Sequence, residues 1–463
     1  MKPVIIAGAG LAGSEAAWQI AARGIPVTLF EMRPARKTPA HKTSLFAELV
    51  CSNSLKSNSP GAASWLLKQE LRRGNSFLMQ QADFHAVPGG AALAVDREGF
   101  AQAVTELLEH HPLISVRREE LAEIPVNQIF LMATGPLTSD ALAHELQSLT
   151  GAGNLAFYDA ISPIVDAETL NMDRIFRASR YGKGGEDYLN CPLDEEEYRA
   201  FYEALHAAEA VERQAFEDTR YFEACLPIEE LSRRGFDTLR FSPMKPVGLA
   251  DPRTGRRPYA VVQLRPENLR FSSYNLVGFQ NHLKFPEQKR ILRMIPGLEN
   301  AEFLRFGQIH RNTYINAPRL LEPDLSLRLA PHVFIAGQLS GVEGYVECIA
   351  TGFLTGLAIA HRCREVRFVP PPRATALGSL VHYITHADMK DYQPANISFD
   401  LIPPPDGLPR HIARDRRARR ELQCDRALDE LSRWWNEIEA SGVGGNPVAP
   451  SVASPKARGL QGD

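Results

Sequence analysis

The stretch from Val4 to Glu31 constrains this chain more than any other. An apolar run, Val4-Ile5-Ile6-Ala7, meets Gly8-Ala9-Gly10-Leu11-Ala12-Gly13. A helix-like segment follows from Ser14 to Arg23, then Gly24, then a second apolar run, Val27-Thr28-Leu29-Phe30, closed by Glu31. This is strand, glycine turn, helix, strand, acid. Gly8 permits a tight turn, Gly10 lets the backbone approach a pyrophosphate, and Gly13 lets the helix pack closely on the sheet. The helix N-terminus offers free N–H groups and partial positive charge to phosphates. An acid about 20 residues past the glycines is placed to accept hydrogen bonds from ribose hydroxyls, and Glu31 is that acid. Glycines alone are a weak signal; with both strands, the helix and the acid around them they predict a dinucleotide site. A glycine-rich strand–helix turn without a ligand is the plainer alternative.

A chain of 463 residues has room for about three domains. Its 44% hydrophobic and 23% charged residues are those of an ordinary soluble protein. A net charge of −3 excludes a generally basic nucleic-acid binder, so any RNA contact must use a local patch. The six cysteines, 51, 191, 225, 348, 363 and 424, are widely spaced and form no CxxC pair. That spacing argues against structural zinc and for reduced thiols in the cytoplasm. No apolar run approaches the roughly 18 residues of a membrane span, and no cleavable leader precedes the first strand. No feature specifies an oligomeric state, and a monomer is compatible with the sequence.

Further along, Cys51 stands in polar company, before Ser52, Asn53 and Ser54. A loop-packing thiol and a chemical thiol both fit. Helical spacing runs from Ala62 to Arg72 and from Asp96 to about His110, with strands at Ala91–Val95 and Ile114–Arg117. The strand Ile129–Met132 leads into Ala133-Thr134-Gly135-Pro136 and is apolar without alternation, as a buried parallel strand is. Its Ala-Thr-Gly end resembles that of two-dinucleotide-binding-domain flavoproteins, which moves the expected ligand from NAD to FAD and adds Gly135 to its site. Residues 155–325 change character, mixing strands, prolines and charged helices; Leu193 to Glu217 reads as one acidic-starting helix. Cys225, two residues before Pro227, sits in extended backbone and reads as a packed thiol or a nucleophile. Gly307 to Tyr314 reads as a polar turn or a substrate-binding loop. The opening fold then returns: Val333–Ala336 is a strand ending at Gly337 and Gln338, followed by a small-residue helix from Ile349 to Ala360. Gly352 and Gly356, one turn apart on it, allow close packing or ligand approach, and Tyr345 could stack on a ring or sit in the core. Residues 376–442 read as mostly helical. Seven arginines between Arg410 and Arg426 form a solvated face or a phosphate contact. From Ser441 the tail is compositionally disordered.

Several long motifs occur together: GAGLAGSEAAW at 8–18, AELVCSNSL at 47–55, ALAVDR at 92–97, ATGPLTS at 133–139, MKPVGLADPRTG at 244–255, VGFQNHLKFPEQKR at 277–290, IPGLENAEFLRFGQIHRNTY at 295–314 and AGQLSGVEGYVE at 336–347. By them the chain resembles the bacterial folate- and FAD-dependent tRNA (uracil-5-)-methyltransferases, over roughly residues 1–405. The resemblance implies an α/β two-dinucleotide-binding-domain (Rossmann-like) FAD flavoprotein with an inserted α+β substrate domain. The expected division is 1–154 for the first part of the FAD domain, 155–325 for the insertion, 326–442 for the FAD-domain return and helical region, and 443–463 for the tail. It implies FAD held by Gly8, Ala9, Gly10, Leu11, Ala12, Gly13, Glu31, Gly135, Gly337, Gln338 and Tyr345. It further implies reduction by NADH or NADPH, 5,10-methylenetetrahydrofolate as carbon donor, and 5-methyluridine at T-loop position 54 of tRNA as product. The family's two functional cysteines map onto Cys51 and Cys225. Uracil C5 is a poor nucleophile until something adds at C6, and a thiolate there generates the enolate that attacks a methylene carbon. A basic rim for RNA would include Lys284, Arg311 and the arginines of 410–420. Ser242, Cys348 and Ala395 depart from the family's usual glycine, serine and methionine. The same chemistry on ribosomal RNA, and a flavin-bound RNA-folding protein, are the alternatives; a generic FAD monooxygenase is a weaker one.

Overall fold

The computed structural model describes residues 2–38, 40–151, 155–182, 185–211, 226–268, 270–390 and 392–443. Two sheets organise them. In the first, the strand β1 (Val4–Ala7) lies at the centre, the helix α1 (Leu11–Ala21) follows it, and β2 (Val27–Phe30) pairs with β1 in parallel. On its other side β1 pairs in parallel with Phe130–Met132, which pairs in parallel with Ala330–Ile335; beyond β2 lies Ile114–Arg117. Ser326–Leu327 caps one edge in antiparallel sense. The central strands Val4–Ala7 and Phe130–Met132 are buried along nearly their whole length, which is why they carry no alternation. The final strand, from more than 300 residues away in sequence, completes the sheet that β1 begins.

Close approach of two helices fixes the layer above this sheet. A Cβ at Gly352 would lie 2.2 Å from the Ala12 carbonyl oxygen, and one at Gly356 would lie 2.7 Å from the Gln19 Cβ. The helix Tyr345–Cys363 therefore crosses α1 backbone to backbone. Both expectations for these glycines are thus decided in favour of packing. Glu15, fully buried on α1, accepts hydrogen bonds from Phe77 and Leu78 N–H at 3.1 and 2.8 Å and so caps the helix Phe77–Phe84.

The second sheet is antiparallel throughout. Its order is Phe176–Arg177, Leu189–Leu193, Ala260–Pro266, Ser273–Leu276, Ile164–Asp166 and Phe303–Arg305. It has its own core around Tyr198, Phe201, Leu264 and Phe279. A ribbon of Leu155–Ile161 paired antiparallel with Gln308–Tyr314 leads into and out of this lobe.

Two sequence expectations change. The segment 307–314, expected as a polar turn or a substrate-binding loop, is strand over Gln308–Tyr314, pairing along seven positions with Leu155–Ile161. Of the helix expected over 193–217, the described part is helical at Glu195–His206, where an Asp194–Glu197 capping box starts it, and Ala210 bridges to Leu283, while 212–217 lie outside the described residues. Residues 376–442 are mostly helical as expected, with helices at Ala376–His386, Arg410–Arg414 and Arg416–Ala440. The stretch between the first two of these helices is irregular, and Pro403, Pro404 and Pro405 stand in it. No helix among the described residues is long and apolar enough to cross a membrane.

Candidate active site

The carboxyl ends of the four central parallel strands open onto one cleft. Crevices outside the carboxyl ends of a parallel sheet are where α/β folds take ligands. Ala7, Gly8, Gly10, Leu11 and Ala12 line it from β1 and α1, Glu31 and Arg33 from the end of β2, Ala133, Thr134 and Gly135 from the third strand, and Gly337, Gln338 and Tyr345 from the C-terminal return. Of the expected cofactor residues only Ala9 and Gly13 lie outside the lining, and both support it. Ala9 N–H donates to Glu31 Oε2 at 3.1 Å. A Cβ at Gly13 would fall 1.8 Å from the Gly8 carbonyl oxygen, so α1 can start against the turn only with glycine there. Gly8 has φ +96°, and its N–H donates to the Phe30 carbonyl at 2.8 Å, tying the turn to β2.

Gly10 is the informative exception. A Cβ there would meet nothing within 4 Å. Packing does not require glycine at this position, and the open space is where a diphosphate would approach the first turn of α1. Glu31 is buried, and burial pushes its carboxyl up. The Arg33 side chain, bonded at 2.8 Å to Oε1, outweighs that and holds it below the usual carboxylate range. Its Oε2 takes one N–H and lines the cleft, leaving acceptor capacity for a ribose hydroxyl. Arg33 also bonds Glu48 Oε2 at 3.1 Å, and Glu48 accepts from Lys42 and Thr43 N–H, so this chain of charges shapes the loop that walls the cleft. The residues present fit an adenine dinucleotide.

Cys51 lines the far end of the same cleft and is half-buried. Its loop is held from four distant parts of the chain. Tyr345 Oη accepts from Cys51 N–H at 2.8 Å and Ser52 N–H at 3.1 Å. Tyr345 thus lines the cleft and anchors the cysteine loop. Arg305, from the second sheet, donates to the Cys51 carbonyl at 2.9 Å. Arg97 donates to the Leu49 carbonyl and, through Nε, to Glu267 Oε2 at 2.7 Å. Asn53, fully buried, donates to the Val95 and Pro266 carbonyls at 3.0 and 2.9 Å and accepts from Arg265 at 2.8 Å. Arg97 and Arg305 are close enough to Cys51 to feel its charge. Burial, then the neighbouring Arg97, lowers Arg305 to about 10, while the Cys51 thiolate acts the other way. Arg97 Nη2 and Arg305 Nε are buried with no hydrogen-bond partner. Two buried cations beside a thiol are the surroundings that favour its thiolate.

Arg97, Arg305 and Glu267 escape the sequence reading. Arg97 ends the ALAVDR block and Arg305 lies within the 295–314 block, so the motifs contained them; nothing local in the sequence says that they converge on Cys51. Cys348, one turn beyond Tyr345, also lines the cleft, and burial, then Glu343 and Glu347, push its thiol above the usual range. Gln338 donates to Glu343 Oε2 at 2.6 Å. Cys225 lies outside the described residues, as does the side chain of Arg311. None of the cysteines 51, 191, 348, 363 and 424 is in a disulfide, and no group of metal-ligating side chains occurs among the described residues.

A sequence model of the family "Glucose inhibited division protein A" matches residues 3–367. The chain belongs to this family. Within it, the chain is 60% identical to the methylenetetrahydrofolate--tRNA-(uracil-5-)-methyltransferase TrmFO of Solibacter usitatus, over 94% of this chain and 99% of that protein. It is 58% identical to the TrmFO of Koribacter versatilis, over 93% and 97% respectively. It is 53% identical to the TrmFO of Enterococcus faecalis, over 92% and 97%. Two crystal forms of Aquifex aeolicus GidA share the fold of this glucose inhibited division protein A family member, with TM-scores of 0.66 and 0.68 at 15% and 16% identity. Each superposition covers 95% of this chain and 75% or 77% of the other.

Proposed function

We propose that this chain is a cytoplasmic enzyme that methylates C5 of a tRNA uridine, that of T-loop position 54, with methylenetetrahydrofolate as the carbon donor. The observation that carries the reading is identity of 52–60% along more than nine-tenths of the chain to proteins named for this reaction. A dinucleotide cleft that ends at a thiol flanked by cations supports it. FAD, when bound, supplies the reducing equivalents, taken from NADH or NADPH, that turn the transferred methylene into a methyl group. Gly8, Gly10, Leu11 and Ala12 would hold its diphosphate, Glu31 its ribose, and Gly135, Gly337 and Gln338 the far end.

The chain's own residues have three tasks. A thiolate must add to uracil C6, so that the C5–C6 electron pair becomes an enolate able to attack the methylene carbon. We assign this addition to Cys225. A base must then take the C5 proton, and that electron pair expels the carbon donor's amine nitrogen, leaving an exocyclic methylene at C5; once this methylene has accepted a hydride, the regenerated enolate collapses, the C6–S bond breaks and the thiolate returns. We assign the proton transfer, or the guarding of the reactive carbon, to Cys51, whose thiolate Arg97 and Arg305 favour. Finally the uridine must leave the folded T-loop, which costs roughly a few kcal/mol of lost stacking and requires contacts that hold the base outside.

The test uses purified protein, unmodified tRNA transcript, NADPH and methylenetetrahydrofolate labelled at the methylene. Label at C5 of the T-loop uridine, lost in both Cys51→Ala and Cys225→Ala, is expected. Absence of label from tRNA, with flavin bound and reducible, would refute the proposal.

A further inference from the structure

Phe303, Phe306 and Phe285 form a ladder of rings. Phe303 and Phe306 stack with centroids 5.2 Å apart and planes 19° apart; Phe306 and Phe285 stack at 5.2 Å and 23°. Exposure rises along the ladder. Phe303 and Phe306 are half-buried, whereas Phe285 is 51% exposed and neighbouring Leu304 is 56% exposed. The ladder is carried by the same segment as Arg305, which donates to the Cys51 carbonyl at 2.9 Å, while Phe303 packs on the core of the second lobe. The ladder is rigidly mounted. Fully buried Gln288 donates to the Gly307 and Leu283 carbonyls at 2.9 and 2.8 Å and accepts from Gly307 N–H at 2.8 Å, clamping the Phe306 segment to the helix Phe285–Leu292. A Cβ at Gly307 would lie 2.4 Å from Asn281 Nδ2, so glycine allows the clamp to close. Exposed Lys284, Lys289 and Arg290 border the outer rings; Glu209 and Glu287 pair with the first and last of these.

A rigid set of near-parallel rings with one face left to solvent, bordered by cations, matches what single-stranded RNA needs. Any base stacks on an aromatic face, and cations follow the backbone. We propose that this ladder is the stacking platform for an unpaired nucleobase of the RNA substrate, next to the site where the target uridine reacts. The inference rests on the proposed function, which requires a base held outside the T-loop. A nucleobase fits better than the folate pterin because the open ring stands at the surface among cations rather than inside the cleft.

The experiment measures affinity for an unmodified T-arm RNA hairpin by fluorescence anisotropy, alongside KM for methylenetetrahydrofolate and NADPH-driven flavin reduction. Phe285→Ala and Phe306→Ala should each weaken RNA binding about tenfold, the size of one lost base–aromatic stack. Phe285→Trp, which keeps a stacking face, should restore it, while folate KM and flavin reduction stay within about twofold. Unchanged RNA affinity in both alanine variants, with flavin content and melting temperature intact, would overturn the proposal. So would a raised folate KM with RNA affinity intact, which would assign the rings to the pterin. Wild-type protein that binds the hairpin through these rings but transfers no methyl group would support the platform and refute the reaction instead.

Discussion

At the scale of single residues, the decisive features are charges taken out of water with specific partners. Arg305 spends its burial on one carbonyl and on the field of Cys51. Arg305→Met should therefore slow alkylation of Cys51 by iodoacetamide at neutral pH by about tenfold, since the thiolate is the reacting species. Mass-spectrometric rates across pH check this; an unchanged rate would remove the arginine from the thiol's activation. Glu229 shows the opposite case. One oxygen accepts the His282 N–H at 2.7 Å, the other has no partner, and burial raises the carboxyl to about 7. A folded-state value above the unfolded one means that this group's stabilisation is complete below about pH 4.5 and is lost as pH rises through about 7. Glu229→Gln should abolish that slope. Melting curves should show the variant gaining on the wild type between pH 5 and pH 8, by up to about 3 kcal/mol at 1.4 kcal/mol per unit.

At the scale of elements, the glycines of the opening turn divide into two kinds. Gly13 is demanded by packing and Gly10 by a ligand. Gly13→Ala must lift α1 off the turn, so it should lower the melting temperature of the flavin-free protein and eliminate flavin binding together. Gly10→Ala adds a methyl group into open space at φ −73°, which alanine adopts freely. Its flavin-free melting temperature should equal that of the wild type while FAD affinity falls at least about tenfold. Calorimetry of both variants, with and without FAD, separates the two roles; equal FAD affinity for Gly10→Ala would mean that the diphosphate does not approach there.

At the scale of the molecule, the cysteine loop ties the second sheet to Ala92–Val95, a strand of a small three-stranded sheet with Ser54–Ser57 and Ala86–Val87. Asn53 bridges Val95 and Pro266, Arg97 holds Glu267, and Arg305 reaches Cys51. Asn53→Ala would leave two buried carbonyls and Arg265 without their partner, at about 1–3 kcal/mol for each unsatisfied group. We expect NADPH-driven flavin reduction to persist, because the cleft belongs to the first sheet, while methyl transfer falls by at least about a hundredfold. Parallel loss of both activities would show that the link serves stability alone.

What the sequence determined by itself is local. Val4 to Glu31 dictates strand, turn, helix, strand and acid because each step depends on neighbours in the chain: glycine conformation, helix periodicity, a run of apolar residues. Nine of the eleven expected cofactor positions line the cleft and the other two, Ala9 and Gly13, support it, because most of them sit in short glycine-bearing motifs that can be read locally. The polar run at 307–314 misled because its strand is stabilised by a partner about 150 positions earlier, and pairing of that kind leaves no local pattern. Only the tertiary structure decided that Gly352 serves packing, that Tyr345 anchors a loop, and that Arg97 and Arg305 converge on Cys51. Each is a contact between residues about 50 to 340 positions apart, set by how the sheets close on each other and invisible to any reading along the chain.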